Sequence, residues 1–155
     1  MVIVPPHVST QRRESWFQSF PLLLIAVIVY NVAAWGGAAI SGSESIQAGL
    51  ARGFSVPMPA NEAVWFISVG DMVIWISLLL LFIEIVRSTG IGKASVVNHA
   101  FSILVFIACL VEFLLFEPFA TSVFFAITLM TLLDVIAGFV ISVMTARRDF
   151  AVGAG

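Results

Sequence analysis

The chain has 155 residues, of which 61% are hydrophobic and 10% are charged, and its formal net charge at pH 7 is −2. Soluble domains carry roughly 45–50% apolar and about 25% charged residues, so this composition excludes an ordinary soluble domain and indicates a protein of the lipid bilayer. The weakly negative charge argues against nucleic acid as a partner, and the single cysteine, Cys109, excludes an intramolecular disulfide.

Four apolar segments are long enough to cross the hydrocarbon core of a membrane, which requires about 20 helical residues. They cover approximately residues 20–40, 63–86, 97–116 and 121–146. Asn61 is placed to cap the second helix, Ser95 or Asn98 the third, and Pro118 breaks the chain before the fourth. The sequence therefore predicts an all-α integral membrane protein, with residues 1–155 forming a single four-helix transmembrane bundle.

The segment QRRESWF, residues 11–17, carries the paired arginines of a twin-arginine signal, and the small residues of AIS at 39–41 resemble a cleavage site. The apolar stretch between them is longer than the apolar region of a signal peptide, and three more spans follow. We therefore expect the first span to be retained.

The loop between the first two spans, residues 41–62, is the only sizeable segment predicted outside the membrane. Ser41 and Glu44 fit a capping box, and Ile46, Leu50 and Phe54 then recur at helical spacing. This pattern predicts a short amphipathic helix at the outer membrane interface, followed by an extended SVPMP segment. The loop either covers the helix bundle, or docks a partner or gates a substrate.

Basic residues are distributed unevenly between the two sides of a four-span protein. One side has Arg12, Arg13, Arg87, Lys93, Arg147 and Arg148. Arg52, in the 41–62 loop, is alone on the other side. The positive-inside rule then places both termini and the 87–95 loop in the cytoplasm, and we expect the protein in a bacterial inner (plasma) membrane.

Besides Glu84, which is near the cytoplasmic end of the second span, three carboxylates lie within the predicted spans, where a charge at the bilayer centre costs about 2.5–3.5 kcal/mol on insertion scales. The helical rise of ~1.5 Å per residue places Asp71 roughly 13 Å, Glu112 roughly 7 Å and Asp134 roughly 20 Å from the outer edge. Asn31 falls near the middle of the first span. We expect these four residues to form a polar site between the outer edge and the midplane.

Three explanations for the buried acids are open. A protonated Asp134 would donate a hydrogen bond between helices, for example to Asn31. Alternatively, Asp71, Asp134 and Asn31 would form a proton or cation site, or the acids would pair with a basic residue or ligand from another chain. Glu84 differs because Arg87 lies one helical turn away and is a potential ion-pair partner.

Five further residues are predicted to lie at helix interfaces. Ser102 and Gly138 belong to stripes of small and hydrogen-bonding residues, and Gly37 lies in the densest run of small residues. Trp75 shares a helix face with one of the acids. His99 is the only histidine within a span, and we expect it to be an interface residue rather than a haem ligand, with no cofactor bound.

The sequence lacks a nucleophile–base pair, a zinc-ligand spacing and a glycine-rich cofactor loop, so we do not expect an enzyme. We expect a small polytopic, non-catalytic accessory or assembly subunit of a larger membrane complex. Its partners would be the lipid bilayer and either other membrane subunits or further copies of itself. The alternative is a homo-oligomeric proton or cation transporter or channel that uses the intramembrane carboxylates.

Overall fold

A computed structural model describes residues 20–40, 46–88 and 93–153. Most of these residues are helical, and the elements follow one another as α1 Leu23–Ile40, α2 Ile46–Ala51, β1 Gly53–Pro57, β2 Val64–Ser68, α3 Val69–Ser88, α4 Lys93–Leu115, the 3₁₀ turn Glu117–Phe119 and α5 Ser122–Gly153. The two strands form an antiparallel hairpin, which the sequence analysis did not predict.

The described residues contain three helices that are long and apolar enough to cross a membrane, and these indicate a membrane protein. They are Val69–Ser88, Asn98–Leu115 and Ser122–Met144, with mean hydropathies of 2.3, 2.0 and 2.3. Only 22%, 22% and 33% of the residues in the respective 18-residue windows are buried, so most of their apolar surface faces outward. The apolar helix at Leu23–Gly36 is shorter, and its assignment as a fourth span stays a prediction.

Helix α5 is central to the packing because it contacts α1, α3 and α4, while α1 also packs against α3. An aromatic core lies close to the 3₁₀ turn, where Phe119 and Phe124 are fully buried and their ring centroids are 4.8 Å apart. The Tyr30 ring packs on both of them, and its hydroxyl is 2.6 Å from the Thr121 hydroxyl. These contacts fasten α1 to the start of α5.

The hairpin lies at the same end of the helices as this core. An added Cβ at Gly70, in the first turn of α3, would come within 2.8 Å of Val123 in α5 and 3.5 Å of the Leu50 carbonyl oxygen in α2. Glycine therefore permits α2 and the first turn of α5 to approach α3 closely. We call the end of the helices that carries the hairpin and the aromatic core the hairpin end.

The predicted start of the second span is wrong by several residues. Residues 64–68 form β2, and α3 begins only at Val69. The Ser68 hydroxyl accepts a hydrogen bond from the Asp71 N–H at 3.0 Å, and the Asp71 carboxylate accepts one from the Ser68 N–H at 2.9 Å. This reciprocal capping box fixes the helix start. Asn61, the predicted cap, instead accepts a hydrogen bond from the Ala63 N–H within the hairpin turn.

The predicted loop helix is present as α2 but is shorter than the sequence indicated, because Phe54 belongs to β1. The predicted extended SVPMP segment corresponds in part to β1, which pairs from Gly53↔Ser68 to Pro57↔Val64. Ser41 and Glu44, the predicted cap of this helix, lie outside the described residues.

Helix α4 begins at Lys93, so Ser95 and Asn98 lie inside the helix rather than at its cap. Pro118 is in the 3₁₀ turn between α4 and α5, where the sequence predicted a break. Arg12 and Arg13 are outside the described residues, as are the side chains of the basic residues near the ends of α4 and α5. The orientation predicted from the basic residues stays a prediction.

Candidate functional site

Five polar residues from three helices meet in the half of the molecule away from the hairpin. They are Glu84 in α3, Asn98, His99 and Ser102 in α4, and Asp134 in α5. We call them the polar cluster. Glu84 is fully buried, and Asp134 is only 4% exposed, so both carboxyl groups are shielded from solvent.

Glu84 connects three helices through its two carboxylate oxygens. Oε2 accepts a hydrogen bond of 3.0 Å from the N–H of Leu23, the first residue of α1, and Oε1 accepts one of 3.2 Å from the Asn98 side-chain amide. The unpaired N–H groups at a helix N-terminus and the helix dipole both favour a negative charge. Glu84 therefore caps α1 from a different helix and occupies a position that suits its ionised form.

Arg87, the partner of Glu84 suggested by the sequence, reaches the same region. It donates a hydrogen bond of 2.8 Å to the carbonyl oxygen of Phe20, three residues before α1. It also exerts a favourable electrostatic effect on Glu84. Glu84 and Arg87, near the end of α3, therefore both form hydrogen bonds with the backbone at the start of α1.

Asp134 lies on the side of α5 that faces α4, near Ser102 and His99. Ser102 donates a hydrogen bond of 3.2 Å to the backbone carbonyl oxygen of Asn98.

The two acids of the polar cluster are close enough to repel each other when both are ionised. Such a pair of buried carboxyl groups favours a state in which one is ionised and the other neutral. Glu84 accepts hydrogen bonds from two N–H donors, and such bonds favour the ionised form of a carboxyl group.

Two buried polar atoms of the polar cluster have no hydrogen-bond partner, namely Asn98 Oδ1 and His99 Nδ1. Asn98 is 7% exposed, and its amide nitrogen is already bound to Glu84. The His99 ring packs against Gly138, one turn beyond Asp134 on α5, and a Cβ added at Gly138 would clash with His99 Nδ1. The absence of a side chain at Gly138 therefore makes room for the imidazole.

The other polar residues predicted within the spans are distributed among separate contacts. Asn31 donates to Glu112 Oε2 at 3.1 Å and to the Val27 carbonyl oxygen at 3.1 Å, so both of its amide protons are used. Asp71 belongs to the capping box of α3 at the hairpin end. The structure thus joins Asn31 to Glu112, and places Asp71 and Asp134 in different environments.

Among the predicted interface residues, His99, Ser102 and Gly138 lie between α4 and α5. Trp75 is 41% exposed and packs on Trp65 of β2, with ring centroids 5.6 Å apart. Gly37 is in the last turn of α1, and its surroundings lie outside the described residues. Within the part of the chain that the structure describes, no group of three histidine, cysteine, aspartate or glutamate residues is arranged to hold a metal ion.

Glu84 is the main site residue that the sequence analysis missed. A signal was present, because Ser77, Leu81 and Glu84 recur at helical spacing and all three are buried. Because Arg87 lies three residues after Glu84, the sequence suggested an ion pair within the same helix rather than contacts with other helices. Comparison of the chain with protein-family models, curated proteins and solved structures gives no match.

Proposed function

We propose that the protein is a small polytopic, non-catalytic accessory or assembly subunit of a larger membrane complex. In this proposal α1, α3, α4 and α5 form a four-helix transmembrane bundle in a bacterial inner membrane, with both termini in the cytoplasm. The distribution of basic residues supports that orientation. The hairpin is then on the outer side and provides the surface that contacts a partner subunit.

The observation that carries the proposal is the exposed apolar surface of the hairpin. Directly paired residues of an antiparallel hairpin share a face, so Val56 and Trp65 lie on one face and Pro57 and Val64 on the other. Val64 is 65% exposed, and Phe66, on the same face, is 51% exposed. Exposed apolar patches on folded proteins mark interaction sites.

The hairpin is poorly suited to either pure water or pure hydrocarbon. Its apolar faces disfavour water, while the outer edges of a two-stranded sheet carry backbone N–H and C=O groups that hydrocarbon cannot satisfy. An isolated two-stranded hairpin is also only marginally stable. A protein surface that covers the aromatic side chains and pairs with a strand edge would satisfy all three requirements.

The partner is expected to be another integral membrane subunit. Strand β2 continues directly into α3, and Trp65 in the strand contacts Trp75 on the outward-facing side of that helix. This connection keeps the hairpin next to the membrane surface. Tryptophan is also characteristic of that boundary. A partner that reaches the hairpin must therefore be at the same level of the same bilayer.

The test is extraction in mild detergent with intact-mass measurement, combined with a photo-crosslinker at position 66. The proposal expects a foreign subunit in fixed stoichiometry, crosslinked at Phe66, and its loss in Phe66→Ser with unchanged helical circular dichroism. Phe139→Ser, at an exposed position on α5, is the matched control and should retain the subunit. Crosslinks to lipid alone, or a ring made only of this chain, would overturn the proposal.

A second function, a homo-oligomeric proton or cation transporter or channel, is favoured by the polar cluster. Ionisable residues inside a membrane are costly and commonly mark ion or proton pathways. Two buried carboxyl groups with unpaired polar atoms beside them suit such a role. A closed ring of this chain in native mass spectra would support this function over the first.

A further inference from the structure

We propose that the outer edge of β2 binds an extended segment of the partner subunit, which adds a third strand to the hairpin. The inference rests on the proposed accessory-subunit function. It specifies which edge of the hairpin is used and which backbone conformation the partner presents to it.

The hydrogen bond that closes the hairpin shows which backbone groups point outward. The Met58 N–H donates to the Ala63 carbonyl oxygen at 3.0 Å. In an antiparallel ladder, such hydrogen-bonded pairs alternate with pairs whose backbone N–H and C=O groups point away from each other. The next pair, Pro57↔Val64, is therefore of the outward-pointing kind, and so is every second pair after it.

The two outer edges differ in the hydrogen-bonding groups that they offer. The alternation makes Ser55↔Phe66 the next outward-pointing pair. On the β1 edge, Pro57 has no N–H to donate. On the β2 edge, Val64 and Phe66 each present both an N–H and a C=O group. The outward N–H of Ser68, further along this edge, is already used by the capping box of α3.

The β2 edge is open to a partner. Within the described part of the chain, no residue outside the hairpin is hydrogen-bonded to the backbone of Val64 or Phe66. Both side chains are more than half exposed. Proteins commonly protect strand edges with proline or charged residues, and β2, with the sequence VWFIS, contains neither. Strand β1 has Pro57 at its outer edge, so the two edges are not equivalent.

An extended protein segment is the occupant that fits this edge. A helix uses its own backbone groups internally, and acyl chains have none to offer. An added strand supplies N–H and C=O groups at every second residue, and its side chains cover the apolar side chains of β2. Four hydrogen bonds, two each to Val64 and Phe66, would then join the partner segment to the hairpin.

The first test is hydrogen–deuterium exchange on the full chain, alone and with the subunit that co-purifies in mild detergent. In the complex, the peptide that contains β2 should take up two fewer deuterons at short times, because the N–H groups of Val64 and Phe66 become hydrogen-bonded. The N–H groups of Trp65 and Ile67 already bond to β1 in both states. The peptide that contains β1 should exchange at the same rate in both samples.

The second test places proline on each edge in turn. Val64→Pro removes an N–H from the β2 edge, and Ser55→Pro removes one from the β1 edge as the matched control. Neither substitution removes a hydrogen bond between the two strands, and Pro57 shows that an outward-pointing position accommodates proline. Val64→Pro should weaken subunit binding roughly 2- to 12-fold, the equivalent of one hydrogen bond, and Ser55→Pro should leave binding unchanged.

The outcomes separate this inference from the function on which it rests. If no foreign subunit co-purifies, the accessory function and the inference both fail. If a subunit co-purifies but β2 gains no protection, or both proline variants bind it equally well, the inference alone is overturned. Protection of β2 in a complex whose intact mass is that of two copies of this chain would also overturn it.

Discussion

Removal of the Glu84 carboxylate should destabilise the protein measurably, because this group caps α1 and binds α4 at the same time. Glu84→Ala leaves the Leu23 N–H and the Asn98 amide without their acceptor. Hydrogen bonds to charged groups contribute about 1.5–3 kcal/mol each in water-soluble proteins. Interhelical hydrogen bonds in membranes average only about 0.6 kcal/mol and reach about 1.7, because the unfolded chain in the membrane also finds partners.

The membrane values apply here because three described helices have spanning character. Two lost bonds then give an expected decrease of about 1–3 kcal/mol in the free energy of unfolding. Glu84→Gln keeps one carbonyl acceptor and should lose about half as much. The assay is unfolding in mixed micelles with increasing denaturing detergent, followed by tryptophan fluorescence.

Glu62→Gln is the matched control, because Glu62 is exposed in the hairpin turn, and its stability should equal that of the wild-type protein. The reasoning would be refuted if Glu84→Ala unfolded within ~0.5 kcal/mol of wild type, the range typical of surface substitutions. It would also be refuted if Glu84→Gln and Glu84→Ala were equally destabilised, since the remaining acceptor would then have no effect.

Three further substitutions test the packing. Gly138→Ala should displace the His99 ring and lower stability, whereas Gly36→Ala, with open space around the added Cβ, should not; thermal unfolding of both variants decides this. Asp71→Ala should remove the capping box and speed amide hydrogen exchange in the first turn of α3, with exchange in α5 unchanged. Phe119→Ala, at a fully buried position, should cost about 3–5 kcal/mol, and a cost below 1 kcal/mol in unfolding titrations would contradict the core assignment.

The long apolar helices were predictable from the sequence, and the structure confirms a mostly helical chain with membrane-spanning character. The β-hairpin was not predictable from hydropathy. VWFIS at 64–68 is as apolar as the helix that follows, so hydropathy joins the two into one span. The β-branched and aromatic residues of that segment favour a strand, and the Ser68–Asp71 capping box marks the true helix start, but neither signal changes a hydropathy average.

The polar contacts were harder to predict because they depend on helix rotation. Counting residues along each span places Asp134 and Asn31 at similar depths, which suggests a contact between them. The structure directs Asn31 to Glu112 and Asp134 to Ser102 instead. The most consequential contact, from the Leu23 N–H to Glu84, joins residues 61 positions apart and involves a backbone donor. A side-chain pattern does not reveal such a donor.

The two proposed roles are located far enough apart on α3 to be separated experimentally. Glu84 is sixteen residues beyond Ser68, where the hairpin meets the helix, and a rise of ~1.5 Å per residue makes this distance roughly 24 Å. Substitutions that far apart, with no shared partner, are normally additive in their effects. Hairpin variants should therefore change subunit association without changing the stability loss caused by Glu84→Ala, and polar-cluster variants should lower stability without changing subunit association. A change in both properties by either variant would mean that α3 couples partner binding at the hairpin to the contacts of the polar cluster.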